Sequence, residues 1–129
     1  MRLFVTETPD TWDELTDGGQ PPVRVAAKDL QHARRVRARV RADGDIAVIL
    51  DVTVAVGADF RSVRDALEPA NGVRYAGTVD GLAGLIADIE SAGVADGVTL
   101  VPVSPREDVH ALGRAVLRNL ELRGQAQAS

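Results

Sequence analysis

The sequence predicts a single α/β domain on a parallel sheet, and three observations carry that expectation. Apolar, β-branched runs recur as RLFV (2–5), VRVAA (23–27), DIAVILDVTVAVG (45–57) and GVTLVPV (97–103). Between them lie stretches with apolar residues at helical spacing, long enough to be crossover helices. Strands alternating with such connections call for parallel pairing through right-handed crossovers. The 129 residues fit one domain over 1–124 with a flexible tail at 125–129, since domains most often run to roughly 100–150 residues.

The elements follow in order. After RLFV, Thr8 can cap a short helix over 9–16 with Pro9 at its first position, where the missing N–H costs nothing; Asp17-Gly18-Gly19 stops it. A second strand at 23–27 leads to Asp29, the N-cap of a helix in which Leu30, Ala33 and Val40 share one face and Gly44 marks the end. The run at 45–57 is almost continuously apolar, as in a strand covered on both faces. FRSVRDALE is a short helix, broken at Pro69-Ala70-Asn71-Gly72, and VRYAG (73–77) is a brief extended piece. Thr78 caps a helix whose Leu82, Leu85, Ile86 and Ile89 form a stripe, and Gly93 ends it. The strand at 97–103 precedes Ser104-Pro105-Arg106-Glu107, a capping-box pattern, and a last helix carrying Val109, Leu112, Val116, Leu117 and Leu120.

Composition narrows the functions. There is no cysteine, so disulfides and thiolate metal sites are excluded, and only His32 and His110 could supply imidazole. The net charge of −4 opposes general nucleic-acid binding. No window reaches the roughly 18 apolar residues of a membrane span, and MRLFVTETPD lacks the apolar core of a signal peptide. A cytoplasmic domain without a metal is expected. Aromatic residues are 3% of the chain, which leaves the core to Val, Leu, Ile and Ala.

Several residues invite a chemical reading beside a plainer one. Glu7-Thr8-Pro9-Asp10-Thr11 is either a helix cap or an anion site made from backbone N–H groups and hydroxyls. Asp51 lies inside an apolar strand, where a carboxylate is costly unless paired; it serves as a proton-transfer or polar interface residue, or faces a groove or an arginine. Lys28 could neutralise a phosphate, or simply precede the cap at Asp29. Arg34, Arg35, Arg37, Arg39 and Arg41 form a basic stripe for an anion or a solvated face. His32 and His110 lie in first helical turns with no pattern of nearby nucleophile or carboxylate. Thr6 and Ser104 join Lys28 and Asp29 at strand C-terminal ends, where such folds place their chemistry.

Ordered pieces of the chain resemble a known family. Gly77-Thr78, then Ala92-Gly93, Ala95-Asp96-Gly97 and Leu100-Val101-Pro102 resemble the C-terminal region of luciferase-like flavin-dependent monooxygenases. That family shows a Gly-Thr/Ser helix start, an Ala-Gly-x-Ala-Asp-Gly segment and an apolar strand ending in proline. Residues 23–45 and 46–57 are similar to its strand, long helix and next strand. Glu7-Thr8-x-x-Thr11 resembles the family's Glu-Ser-x-x-Thr pattern, with threonine for serine and with Asp10 as a departure.

The resemblance implies the second half of a barrel, beginning at what would be its fifth strand. The fold implied is a half TIM-barrel-like (βα)4 unit with parallel strands, completed by association, because a full barrel needs about 250 residues. Two copies approach that size; a complementary luciferase-like subunit is the other partner implied, and a local rearrangement covering the sheet is the third outcome. Glu7, Thr8 and Thr11 are implied as contacts to the phosphate of FMN or a related flavin. Since the family also builds its site from the missing half, the isolated chain is expected to be inactive. The competing expectation is a non-catalytic interaction or accessory protein derived from that family.

Overall fold

The computed structural model describes residues 2–8, 10–16, 18, 20–56, 72–103 and 108–128. Six strands are described, β1 (Arg2–Val5), β2 (Asp13–Glu14), β3 (Val23–Val25), β4 (Val48–Val56), β5 (Arg74–Gly77) and β6 (Gly97–Pro102), with helices α1 (Leu30–Ala42), α2 (Val79–Ser91) and α3 (Val109–Ala128). The helix starts follow local chemistry. Asp29 accepts the His32 N–H at 2.8 Å, Thr78 accepts the Gly81 N–H at 3.1 Å, and Asp108 accepts the Ala111 N–H at 3.0 Å, each satisfying a donor that the first turn leaves free. α2 ends with Gly93 at φ +69°, while the Val94 N–H reaches the Ile89 carbonyl at 3.0 Å. That is a Schellman closure, and it needs a residue tolerant of the left-handed region.

The sheet runs β2-β1-β6-β4-β3, with β5 also on β4. β3 pairs with Val48–Leu50 and β5 with Thr53–Val56, so the two short strands take successive lengths of β4. All pairings are parallel except β1 with β2. β4 and β6 form the longest ladder, from Ile49↔Gly97 to Val54↔Pro102. The result is a mixed α/β fold with a curled, half-barrel sheet.

The pleat sorts the strand residues between two unlike faces. Leu3, Val5, Leu50, Val52, Val54, Val98 and Leu100 point to one side and share a single core with Ala33 of α1, Leu82, Ile86 and Ile89 of α2, and Val109, Leu112 and Val116 of α3. All the described helices therefore cover the same face. Phe4, Ile49, Asp51, Thr53, Thr99 and Val101 alternate to the other, helix-free face. In a barrel that face is the interior.

Two expectations change here. The segment 9–16 forms no helix among its described residues: β2 returns antiparallel beside β1, with Phe4↔Glu14 and Val5↔Asp13 as partners. Thr8 is accordingly no helix cap. Tertiary pairing decides the matter, since Arg2 bonds both carboxylate oxygens of Glu14 at 2.9 and 2.7 Å and the Leu15 N–H reaches the Leu3 carbonyl at 2.8 Å. The second strand stops at Val25 instead of residue 27, where its pairing with β4 ends at Val25↔Leu50.

The expected helix FRSVRDALE, the capping box at 104–107 and Pro9 lie outside the described residues. α3 continues through the expected tail as far as Ala128. Among the described residues no helix is long and apolar enough to cross a membrane.

Candidate functional site

On the helix-free face the strand register builds rows of side chains. Phe4, Thr99 and Asp51 stand abreast on β1, β6 and β4. Arg24 of β3 lies level with Ile49 and reaches Asp51 through its Nε at 2.8 Å. Into this array the 6–16 segment lays Trp12. Its ring stacks on Phe4 at 4.4 Å between centroids and 16° between planes, and its Nε1–H donates to the Thr99 hydroxyl at 2.9 Å. The Arg24 guanidinium stands 5.8 Å from the Trp12 ring centre, within cation–π range.

This cover changes the state of the face. Phe4 is 4% exposed, and Ile49 and Thr99 are fully buried, in the single chain. The hairpin thus hides part of the face that the helices leave uncovered. Trp12→Phe keeps an aromatic ring over Phe4 but removes the indole donor and part of the ring area, leaving the buried Thr99 hydroxyl short of a partner. It should cost about 1 kcal/mol, measured as a shift in the denaturant midpoint at unchanged slope.

Beside the cover a cleft of about 390 Å³ opens, lined by Thr6, Glu7, Thr8, Arg24, Val101 and Pro102. The strand order places Arg24 at one end and the residues after β1 at the other, with the end of β6 as the floor between them. This is the C-terminal end of β1 and β6, where the sequence reading placed chemistry.

Glu7, Thr8 and Thr11 are brought together, but by one another. The Thr11 hydroxyl accepts the Glu7 N–H at 2.9 Å and the Thr8 N–H at 3.0 Å, and the Thr6 hydroxyl donates to the Thr8 carbonyl. Those two N–H groups are the donors a flavin phosphate would need, and the chain's own hydroxyl already fills them. The Glu7 carboxylate adds a negative charge there, with His110 Nδ1 at 2.7 Å. No buried side-chain polar atom among the described residues lacks a partner. In this conformation a phosphate could take those two N–H groups only by displacing the Thr11 hydroxyl.

Other candidates resolve differently. Asp51 has an arginine partner, the second of the plainer readings offered for it. His110 is not isolated, since Glu7 and Asp13 flank its two ring nitrogens at 2.7 and 3.4 Å and tie the hairpin to α3. Sequence spacing hid this, because the carboxylates lie some hundred residues away. Among the described residues no group of three or more His, Asp or Glu could hold a metal ion. His32 is turned back locally, its Nδ1 accepting the Lys28 N–H at 3.1 Å. Ser104 lies outside the described residues.

The basic stripe is divided. Arg37 and Arg41 turn toward Asp96, with Arg37 Nη2 at 2.9 Å, while Arg34, Arg35 and Arg39 are exposed. Asp96 also accepts the Val48 N–H at 2.9 Å. Burial pushes its carboxyl upward, but the hydrogen bonds from Arg37 and Val48 and the charges of Arg37 and Arg41 prevail and hold it below the ordinary value. Glu14 is likewise held low, first by the Arg2 hydrogen bond, with burial opposing.

The sequence reading passed over Trp12, Arg24 and Asp96 as site residues. The available signal for Arg24 was a charge inside the apolar run VRVAA, one strand before an equally odd Asp51. No family model matches this sequence, and no curated protein matches it.

Proposed function

We propose that this chain is a luciferase-like half-barrel that acts as a subunit of a larger flavin-dependent oxidoreductase or monooxygenase assembly, inside the cytoplasm, and performs no oxygenation alone. One observation carries the reading: β3, β4 and β6 follow one another across the sheet, and β1 lies on the far side of β6. With β5 set aside, that is the neighbour order of a barrel, in which the first strand closes against the last. In that comparison β1 takes the place of a barrel's opening strand, where the family resemblance implied its fifth. The coverage of a single sheet face by every described helix agrees with such an origin.

When bound in the assembly, FMN or a related flavin supplies the redox chemistry, and protein supplies position and shielding. This chain contributes part of a wall and buries its own sheet with Trp12. The complementary surface comes from a luciferase-like partner or from a second copy.

The test begins with two samples, the isolated chain and the assembly recovered from its native cell. The isolated chain is expected to leave the visible spectrum of added FMN unchanged at micromolar concentration. The recovered assembly is expected to carry flavin or to take it up. An assembly that contains none and binds none ends this reading, and light scattering on the eluted peak gives its stoichiometry.

A second reading has its own support. With the Glu7 and Thr8 N–H groups closed by Thr11, the chain fits a non-catalytic interaction protein that has kept the half-barrel frame without the phosphate site. An assembly of defined stoichiometry without flavin would favour it.

A further inference from the structure

The feature of the cleft that the flavin reading does not use is Arg24. Its Nε is committed to Asp51 at 2.8 Å, and its plane is steadied by Trp12 at 5.8 Å. Among the described residues, no partner is found for its two terminal nitrogens. The side chain is 32% exposed and lines the cleft. An arginine held through Nε by a carboxylate has lost most of its rotamer freedom before any ligand arrives, and its Nη pair remains as a planar fork for an oxyanion.

We infer that Arg24 anchors a binding site for a small carboxylate with an apolar or aromatic body. The cleft's volume, about 390 Å³, lies in the range of small-molecule sites. Val101 and Pro102 form an apolar floor beyond the guanidinium, suited to the body of such a ligand. The Thr6 and Thr8 side of the cleft lies across that floor, next to the Glu7 carboxylate. Asp51 already offsets the charge of Arg24 and Glu7 borders the same cleft, so these carboxylates set the charge limit: a singly charged anion held by the free Nη fork meets less repulsion than a phosphate dianion would. Asp51 keeps Arg24 in place and so acts as a positioning residue. The proposal does not depend on the flavin reading, since it concerns the isolated chain and a different anion site.

Trp12 is the only tryptophan, so its emission reports on this site directly. Benzoate, titrated into the full chain at low ionic strength, is expected to change that emission saturably and to give a matching binding isotherm by calorimetry. Arg24→Gln, checked for a native circular-dichroism spectrum, is expected to weaken binding at least about tenfold, the usual consequence of losing a charge-assisted pair. Arg24→Lys keeps the charge without the fork, and should retain part of the affinity with a native fold. Inorganic phosphate, run in parallel, should bind more weakly than benzoate.

Absence of a saturable signal with both probes overturns the site. Equal benzoate affinity in wild type and a folded Arg24 variant does the same. Tighter binding of phosphate than of benzoate overturns the carboxylate assignment. None of these outcomes bears on flavin uptake by the recovered assembly, so the two readings fail separately.

Discussion

Asp96→Ala should lower the stability by about 3 kcal/mol, the cost of stripping a partly buried charge cluster of its acceptor. A melting-temperature fall on the order of 10 °C would accompany it. The carboxylate joins three elements: it takes Arg37 and Arg41 from α1 and the Val48 N–H from the start of β4, while its own backbone lies just before β6. Removing it leaves an arginine on α1 and a strand N–H without their acceptor. Asp96→Asn keeps an acceptor for Val48 but loses the charge, and should cost about half as much.

The same residue gives the chain a predictable acid response. Asp96 and Glu14 both hold their carboxyl groups below the ordinary value in the folded state. Folded protein therefore binds fewer protons than unfolded protein as the solution is acidified. The stability these groups contribute is complete above the unfolded carboxylate range, near pH 4, and is lost as the pH falls through the lowered folded values. A plot of denaturant midpoint against pH should bend downward below about pH 4. Asp96→Asn should flatten part of that bend, and an unaltered curve in the variant would exclude Asp96 as its source.

Gly97→Ala should be comparably damaging, about 3 kcal/mol. A Cβ at this position would stand 2.5 Å from the Arg2 carbonyl oxygen and 2.7 Å from Ile49 Cδ1. The first neighbour is backbone in the adjacent strand and cannot swing away. β1 and β6 would have to part where Arg2↔Gly97 opens their ladder. Hydrogen exchange should show protection lost first across β1 and the first half of β6. Retention of wild-type protection there would show that the strands accommodate the methyl group.

These two residues also explain part of the family-like pattern in physical terms. The Ala95-Asp96-Gly97 segment holds α1, β4 and β6 in register and lets β1 approach closely. Gly93 closes α2, and Thr78 opens it. At Thr78, Gly93, Asp96 and Gly97 the described roles are architectural.

Local signals were legible wherever short-range forces decide. The caps at Asp29 and Thr78, the stop at Gly93 and the stripe Leu82, Ile86 and Ile89 depend on neighbours within a turn or two, and they could be read in order. β2 could not. Asp13 and Glu14 have poor strand propensity, and they pair with Val5 and Phe4 where Arg2 holds the Glu14 carboxylate and the Leu15 N–H reaches Leu3. Arg24 with Asp51, and His110 with Glu7 and Asp13, meet through register and helix docking, which spacing along the chain does not reveal.

By itself the sequence determined the alternation of strands and helices, which residues are apolar, and where most helices begin and end, because hydrophobic period and capping act over a few residues. Only the tertiary structure decided that β1 closes against β6, that the opening loop returns as a hairpin, and that Trp12 covers the helix-free face. Those outcomes depend on which distant groups find partners once the sheet forms. A buried strand edge or an unpaired guanidinium is satisfied by whatever the fold brings near it, however far away along the chain.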